Sequence, residues 1–207
     1  MPKLKSGCFL ILLVLAQISY CSVSQIDSLK NILHQTKNDS IKCVVYTKLF
    51  SQYIQFNPDS AQHFAQTGLL KSTQIKYPKG IADLTLFDAF VDYNNGDFLL
   101  ARKKMRKGLS LLQSNYDYLS GENNLRLWIA NAYREDNKFD SSKIYLEQIL
   151  QSPNPDNPLE IASTYQSLAN IYQIEEDFEQ ALFYYFKSDS ICNLNESMNN
   201  HCITKIA

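Results

Sequence analysis

The stretch YQSLANIYQIEEDFEQALFYYFKSDS, residues 165–190, decides the fold. Its core-type residues fall at helical spacing: Tyr165, Leu168, Ala169 and Tyr172, then Phe178, Ala181 and Tyr185. That pattern describes two helices, each with one apolar stripe. The small residue Ala181 has counterparts upstream at Ala61, Ala101 and Ser142, with gaps of 40, 41 and 39 residues. Eight or nine residues before each stands a tyrosine: Tyr53, Tyr93, Tyr133 and Tyr172. Equal spacing of one apolar pattern means stacked helical hairpins, each burying its face on its neighbours. Such a chain is a surface for holding something rather than a catalyst.

The earlier copies follow the same plan. Repeat one carries Tyr46, Leu49, Phe50 and Tyr53, then the turn Asn57-Pro58-Asp59-Ser60, with Pro58 near the first helical position. Repeat two carries Leu86, Ala89, Phe90 and Tyr93, the turn Asn94-Asn95-Gly96-Asp97, then Phe98, Ala101, Met105 and Leu109. Repeat three carries Leu125, Trp128, Ile129, Ala132 and Tyr133, then Phe139, Leu146, Ile149 and Leu150. The proline-rich run 152–158 is the one long connector. Ahead of the repeats, Ile26, Leu29, Ile32 and Leu33 mark a short opening helix over 25–38, with Asn38-Asp39-Ser40 as cap chemistry for the next. The repeats are expected at about 39–77, 78–117, 118–156 and 157–194, with 195–207 opening an incomplete fifth.

Six glycines and six prolines in 207 residues fit tight turns between helices, and 45% apolar residues can fill a continuous core. The length suits one domain. A net charge of −1 gives no general field for nucleic acid or anionic lipid.

Residues 1–24 have the layout of a signal peptide: Lys3 and Lys5, the apolar run 8–16, and small residues Ser22 and Ser24 before Gln25. The apolar run is short for a membrane span, and the mature chain is expected to have none. Lipidation at Cys21 would need a small residue before it, and Tyr20 stands there. The expected location is exported, periplasmic or envelope-associated. Outside the leader, Cys43, Cys192 and Cys202 are too few and too widely spaced for a disulfide framework or a zinc site. Cys43 reads as a small apolar helix residue, and a Cys192–Cys202 pair stays open.

The repeat resembles the tetratricopeptide family. Repeat four matches through Tyr165, Leu168, Ala169, Tyr172, Phe178, Ala181, Tyr185 and Ser188; repeat three matches through Ile129, Ala130, Tyr133, Phe139, Ser142 and Leu146. The resemblance covers about residues 40–192 and implies a right-handed superhelical array of antiparallel hairpins. The period near 40 exceeds the family's about 34. The tyrosine-to-small-residue gap is 8 in the first two repeats and 9 in the last two. Read literally, helix A of repeats one and two is rotated by about 100°. That rotation would also relieve Asp88 and Asp92, which a strict register sets at apolar positions.

Several residues invite a chemical reading. Asp88 and Asp92 share a face with Thr85; they are candidates for a cation, for acid–base work or for partner contact, against a solvated polar stripe. Arg102, Lys103, Lys104, Arg106 and Lys107 read as a solvated outer face. Asn131 and Asn170 occupy the same position in repeats three and four. In the family that position lines the concave groove, and a carboxamide there suits an extended peptide. Arg134 and Gln173, three residues on, would continue the site. Hydrogen bonding of the asparagines to an adjacent helix is an equal alternative. Phe183, Tyr184, Tyr185 and Phe186 surround the last helix, and Phe183, Tyr184 and Phe186 are expected to form an exposed apolar end face that self-associates or recruits a partner.

The three histidines are scattered, and no phosphate loop, metal motif or catalytic signature is present, so no cofactor, metal or enzyme activity is expected. The leading expectation is an exported module that binds a protein or peptide partner, resembling the sensory region of membrane-tethered regulators. The alternatives are a structural scaffold of an envelope complex and a truncated gene product.

Overall fold

The computed structural model describes residues 24–194, which form nine α-helices with no strand among them. They are α1 (24–35), α2 (Asp39–Tyr53), α3 (Pro58–Gln74), α4 (Pro78–Asn94), α5 (Phe98–Asn115), α6 (Leu119–Glu135), α7 (Phe139–Gln151), α8 (Pro158–Ile174) and α9 (Phe178–Leu194). The expected leader up to residue 23 and the start of a fifth repeat lie outside the described residues. So does the disulfide partner of Cys192. Cys43 is a free thiol in α2, and burial pushes its pKa up, as a packing residue requires.

The chain divides into two compact units, residues 1–80 and 81–207. In the first, Ile26, Val45 and Leu49 form a core closed by Leu29, Leu33, Tyr53 and Phe64, so α1 packs on the α2–α3 hairpin. Ile32, expected on that stripe, points outward. In the second, α6 pairs with α7 and α8 with α9, and α5 and α7 each pack on the next helix A. One core there joins Ala130, Leu146, Ile149, Leu168 and Ile171.

Local chemistry starts and stops the helices where the sequence signals them. The Oδ1 of Asn38 accepts from the N–H groups of Ser40 and Ile41 at 3.0 and 3.2 Å. Asn57 and Asp97 cap α3 and α5 in the same way, with Pro58 opening α3. The A helices of the second unit end alike. Gly96, Asn137 and Glu176 take positive φ angles of 80°, 56° and 62°. The following N–H of Asp97, Lys138 and Asp177 then donates back to the carbonyl of Asp92, Tyr133 and Tyr172, each at 2.9 Å.

These identical turns set the register and correct the sequence reading. Asp92, not Tyr93, is the counterpart of Tyr133 and Tyr172. Helix A of repeat two is therefore not rotated; its tyrosine has moved one residue along. Across each hairpin the slot faces the residue three after the small one. Tyr133 stacks on Tyr145 at 5.7 Å and Tyr172 on Tyr184 at 5.5 Å. Tyr53 meets Phe64 at 5.3 Å in repeat one. In repeat two the slot holds Asp92 and Lys104, an ion pair at 2.7 Å. The small residues Ala61, Ala101, Ser142 and Ala181 are all buried, each the fourth residue of its helix B. Ser142 fits there because its hydroxyl donates to the carbonyl of Ala130 at 2.7 Å.

The long connector between α7 and α8 is pinned from beneath. Buried Asn123 donates to the carbonyl of Ser152 at 3.0 Å and to Glu160 Oε1 at 2.7 Å. Arg126 in turn donates to Asn123 Oδ1 at 2.6 Å and to Glu122 at 2.9 Å. A proline-rich loop thus gains a fixed course from one satisfied carboxamide.

Candidate functional site

With the register fixed, two positions recur on the A helices of the second unit. The first holds Phe90, Asn131 and Asn170; the second, three residues on, holds Tyr93, Arg134 and Gln173. All six are partly or fully accessible to solvent. Spacing of three on a helix puts each pair on one face, so α4, α6 and α8 offer like-placed groups in series.

The α4 end of this row is aromatic. Trp128 of α6 stands edge-on to Phe90 and Tyr93, with centroids 5.6 Å away in both cases, and Tyr93 meets Phe98 at 5.2 Å. Burial first, then the negative charge of Glu135, pushes the Tyr93 phenol up, while Arg134 pulls it down. The α8 end is polar. The Ser167 hydroxyl donates to Asn131 Oδ1 at 3.5 Å, one repeat along. The Tyr185 hydroxyl lies 2.7 Å from Asn170 Oδ1 and 2.8 Å from Gln173 Oε1. A phenol has one hydrogen, so it donates to one carboxamide and accepts from the other, whose oxygen and nitrogen exchange places. Arg134 donates to its exposed neighbour Glu135 at 2.9 Å and lowers the Tyr185 phenol, which burial raises.

The structure thus brings Asn131, Arg134, Asn170 and Gln173 onto one side of α6 and α8, and adds Ser167 and Tyr185, which the sequence reading did not assign to the site. Ser167 lies one turn before Asn170, and Tyr185 was hidden in a run of four aromatics. Both asparagines do bond to an adjacent helix, Asn131 through its carbonyl oxygen and Asn170 through the carboxamide end that meets Tyr185. Among the described residues the NH2 group of Asn131 carries no partner, which leaves a donor for a ligand.

Asp88 and Asp92 do not join this row. Only 7% and 9% exposed, they turn toward α5, where the Lys104 ammonium sits 3.0 Å from Asp88 and 2.7 Å from Asp92. Burial alone would lower that ammonium's pKa, but the hydrogen bonds and charges of Asp92 and Asp88 hold it above its usual value. The solvated-stripe reading of these aspartates is therefore corrected. Nor is the basic run of α5 wholly solvated: Lys103, Arg106 and Lys107 are exposed, but Arg102 is 1% exposed. Its guanidinium stacks over the Tyr133 ring at 4.4 Å, donates to the Ala132 carbonyl at 2.7 Å and pairs with Asp136. Tyr184, expected on the exposed end face, packs inward on Tyr165 and Tyr172. The apolar residues that do stand open on α9 are Phe178, Leu182, Phe183 and Phe186. Among the described residues, no group of three His, Cys, Asp or Glu could hold a metal, and no helix is long and apolar enough to cross a membrane.

Comparison with known proteins agrees with this architecture. Residues 22–107 match the family model of the SusR N-terminal TPR domain. None of the curated proteins matches the chain. Among solved structures, BtubC from P. vanneervenii is similar over 95% of this chain and 82% of its own, with a TM-score of 0.66 and 16% identity. A Signal Transduction ATPase with Numerous Domains from Pyrococcus horikoshii, which has a tetratricopeptide repeat sensor, is similar over 92% of this chain, with a TM-score of 0.69 and 16% identity. The chain spans 30% of that protein's length.

Proposed function

We propose that this tetratricopeptide-type solenoid is an exported interaction module. It holds an extended segment of a protein partner across α4, α6 and α8. The observation that carries the reading is the recurrence of two accessible positions on successive A helices. They are filled by Phe90 and Tyr93, then Asn131 and Arg134, then Asn170 and Gln173. An extended peptide repeats its donors and acceptors along its length, and carboxamides in series answer both. The aromatic end suits an apolar side chain of the same peptide. Repeat folds of this type act by holding partners rather than by catalysis.

A sensory role in a signalling regulator fits the match to a SusR N-terminal domain and the likeness to a repeat sensor. Export rests on the order of basic, apolar and small residues in 1–24.

Selection of a dodecapeptide phage library on the immobilised chain, followed by calorimetric titration of the selected peptides, tests the reading. Asn131→Ala with Asn170→Ala is expected to weaken such a peptide by roughly 1–3 kcal/mol in total. Quenching of Trp128, the sole tryptophan, should accompany binding. Unchanged affinity and fluorescence, with helicity intact, would leave these residues a packing role alone.

A further inference from the structure

Two cations rivet one repeat to the next. Arg102 follows the small residue Ala101 and lies over the Tyr133 ring at 4.4 Å while pairing with Asp136. Lys143 follows Ser142 and lies over the Tyr172 ring at 4.3 Å while pairing with Glu175 at 2.6 Å. Tyr133 and Tyr172 are counterparts, and so are Asp136 and Glu175, each just before the left-handed residue that ends its helix. The B helices α5 and α7 are thus coded for the A helix that stacks on each: a cation facing a tyrosine and a carboxylate.

Repeat four changes that code. The residue after Ala181 is Leu182. It belongs to a stripe in which Phe178, Leu182, Phe183 and Phe186 are 62%, 45%, 48% and 59% exposed. Positions 178, 182 and 186 lie at i, i+4 and i+8, and Phe183 borders them, so they form one face. With about half of four large side chains open, the face offers on the order of 400 Å² of apolar surface, a size that marks interaction sites. A tyrosine and a carboxylate would find no cation at Leu182, so the face does not match the stacking of α5 on α6 or of α7 on α8.

We infer that this face pairs with the same face of a second copy of the chain. The charges around it are self-complementary. Glu179 and Lys187 lie four residues either side of Phe183, and both are exposed. Lys187 Nζ already rests over the Phe183 ring at 4.3 Å. An antiparallel two-fold contact centred on Phe183 sets Glu179 of each copy against Lys187 of the other and meets Phe183 with itself. An apolar centre with a charged rim is the ordinary anatomy of such a contact. This inference does not depend on the peptide-binding row.

Sedimentation velocity on the purified chain tests it. The expected result is a monomer–dimer equilibrium across about 1–100 µM, the range for a contact of this modest area. Leu182→Lys brings in the cation that repeats two and three carry at this position, at an exposed site; it should weaken the dimer at least tenfold with unchanged helicity. Glu179→Lys alone should also weaken it, and Glu179→Lys with Lys187→Glu should recover it. A monomer at every concentration would overturn the inference, as would a dimer indifferent to Leu182→Lys. Failure of the double charge exchange to recover association would overturn the two-fold pairing.

Discussion

Lys104 reaches Asp92 at 2.7 Å in the slot where, one repeat later, Tyr145 stacks on Tyr133 at 5.7 Å. The same joint between helices A and B is thus made by an ion pair once and by aromatic pairs elsewhere. Asp92 is the stronger of the two partners that hold the Lys104 ammonium charged. Asp88, also beside Lys104, adds a second carboxylate.

Removing the cation is costly, whereas replacing the whole cluster is not. Lys104→Met should destabilise by about 3 kcal/mol, because it leaves two mostly buried carboxylates without their ammonium. The triple change Asp88→Leu, Asp92→Tyr and Lys104→Tyr imports the residues of repeat four. It should be neutral or stabilising by roughly 1 kcal/mol or more. Urea denaturation of both variants checks this, and a triple variant as weak as the single one contradicts the register.

The two rivets should differ in strength because they differ in burial. Arg102 has 2% side-chain exposure, and Lys143 has 20%. Arg102→Ala empties a buried site over the Tyr133 ring, takes a donor from the Ala132 carbonyl and leaves Asp136 with Lys138 alone, and should cost about 3 kcal/mol. Lys143→Ala should cost about 1 kcal/mol or less. Equal thermal shifts would refute the ranking.

The small residues are sites of close helix crossing. Ala181→Leu, at 3% exposure, should destabilise by roughly 1–3 kcal/mol through overpacking. Lys103→Ala, at an exposed site, should change stability by less than about 0.5 kcal/mol. Chemical denaturation separates them, and similar values would place Ala181 outside the packed core.

Glu160 gives a pH signature. Burial holds its carboxyl above the ordinary range, against the pull of Asn123, the Asn154 backbone and Arg126. The native state keeps a proton that the unfolded chain releases near pH ~4.3. Its contribution is therefore fullest below that value and declines as pH rises through the raised native pKa. Glu160→Gln keeps an acceptor for Asn123 and carries no charge. Melting temperatures from pH 4 to 7 should move steadily in the variant's favour; parallel curves would show that Glu160 titrates as it does in the unfolded chain.

Cleavage of the leader should give an N-terminus at or near Gln25. Mass spectrometry of the exported protein reads this directly, and a retained Met1 or an acylated Cys21 would refute it.

The sequence alone determined the helices, their pairing and the buried small residues. These follow from local rules: apolar spacing near 3.6, caps at Asn38, Asn57 and Asp97, and Ala or Ser where two backbones cross. It also put Asn131 and Asn170 at matching positions. It misjudged repeat two because it counted from Tyr93, while the chain counts from the left-handed turn at Gly96, whose bond from Asp97 returns to Asp92. Only the tertiary structure decided what the charges do. Lys104, Arg102 and Lys143 look alike in a string of letters. One neutralises two carboxylates inside its own hairpin; the others cross to the next repeat and cover a tyrosine. Partners 12 to 34 residues away in sequence fix the energy of a long, flexible cation, and a local pattern carries no record of them.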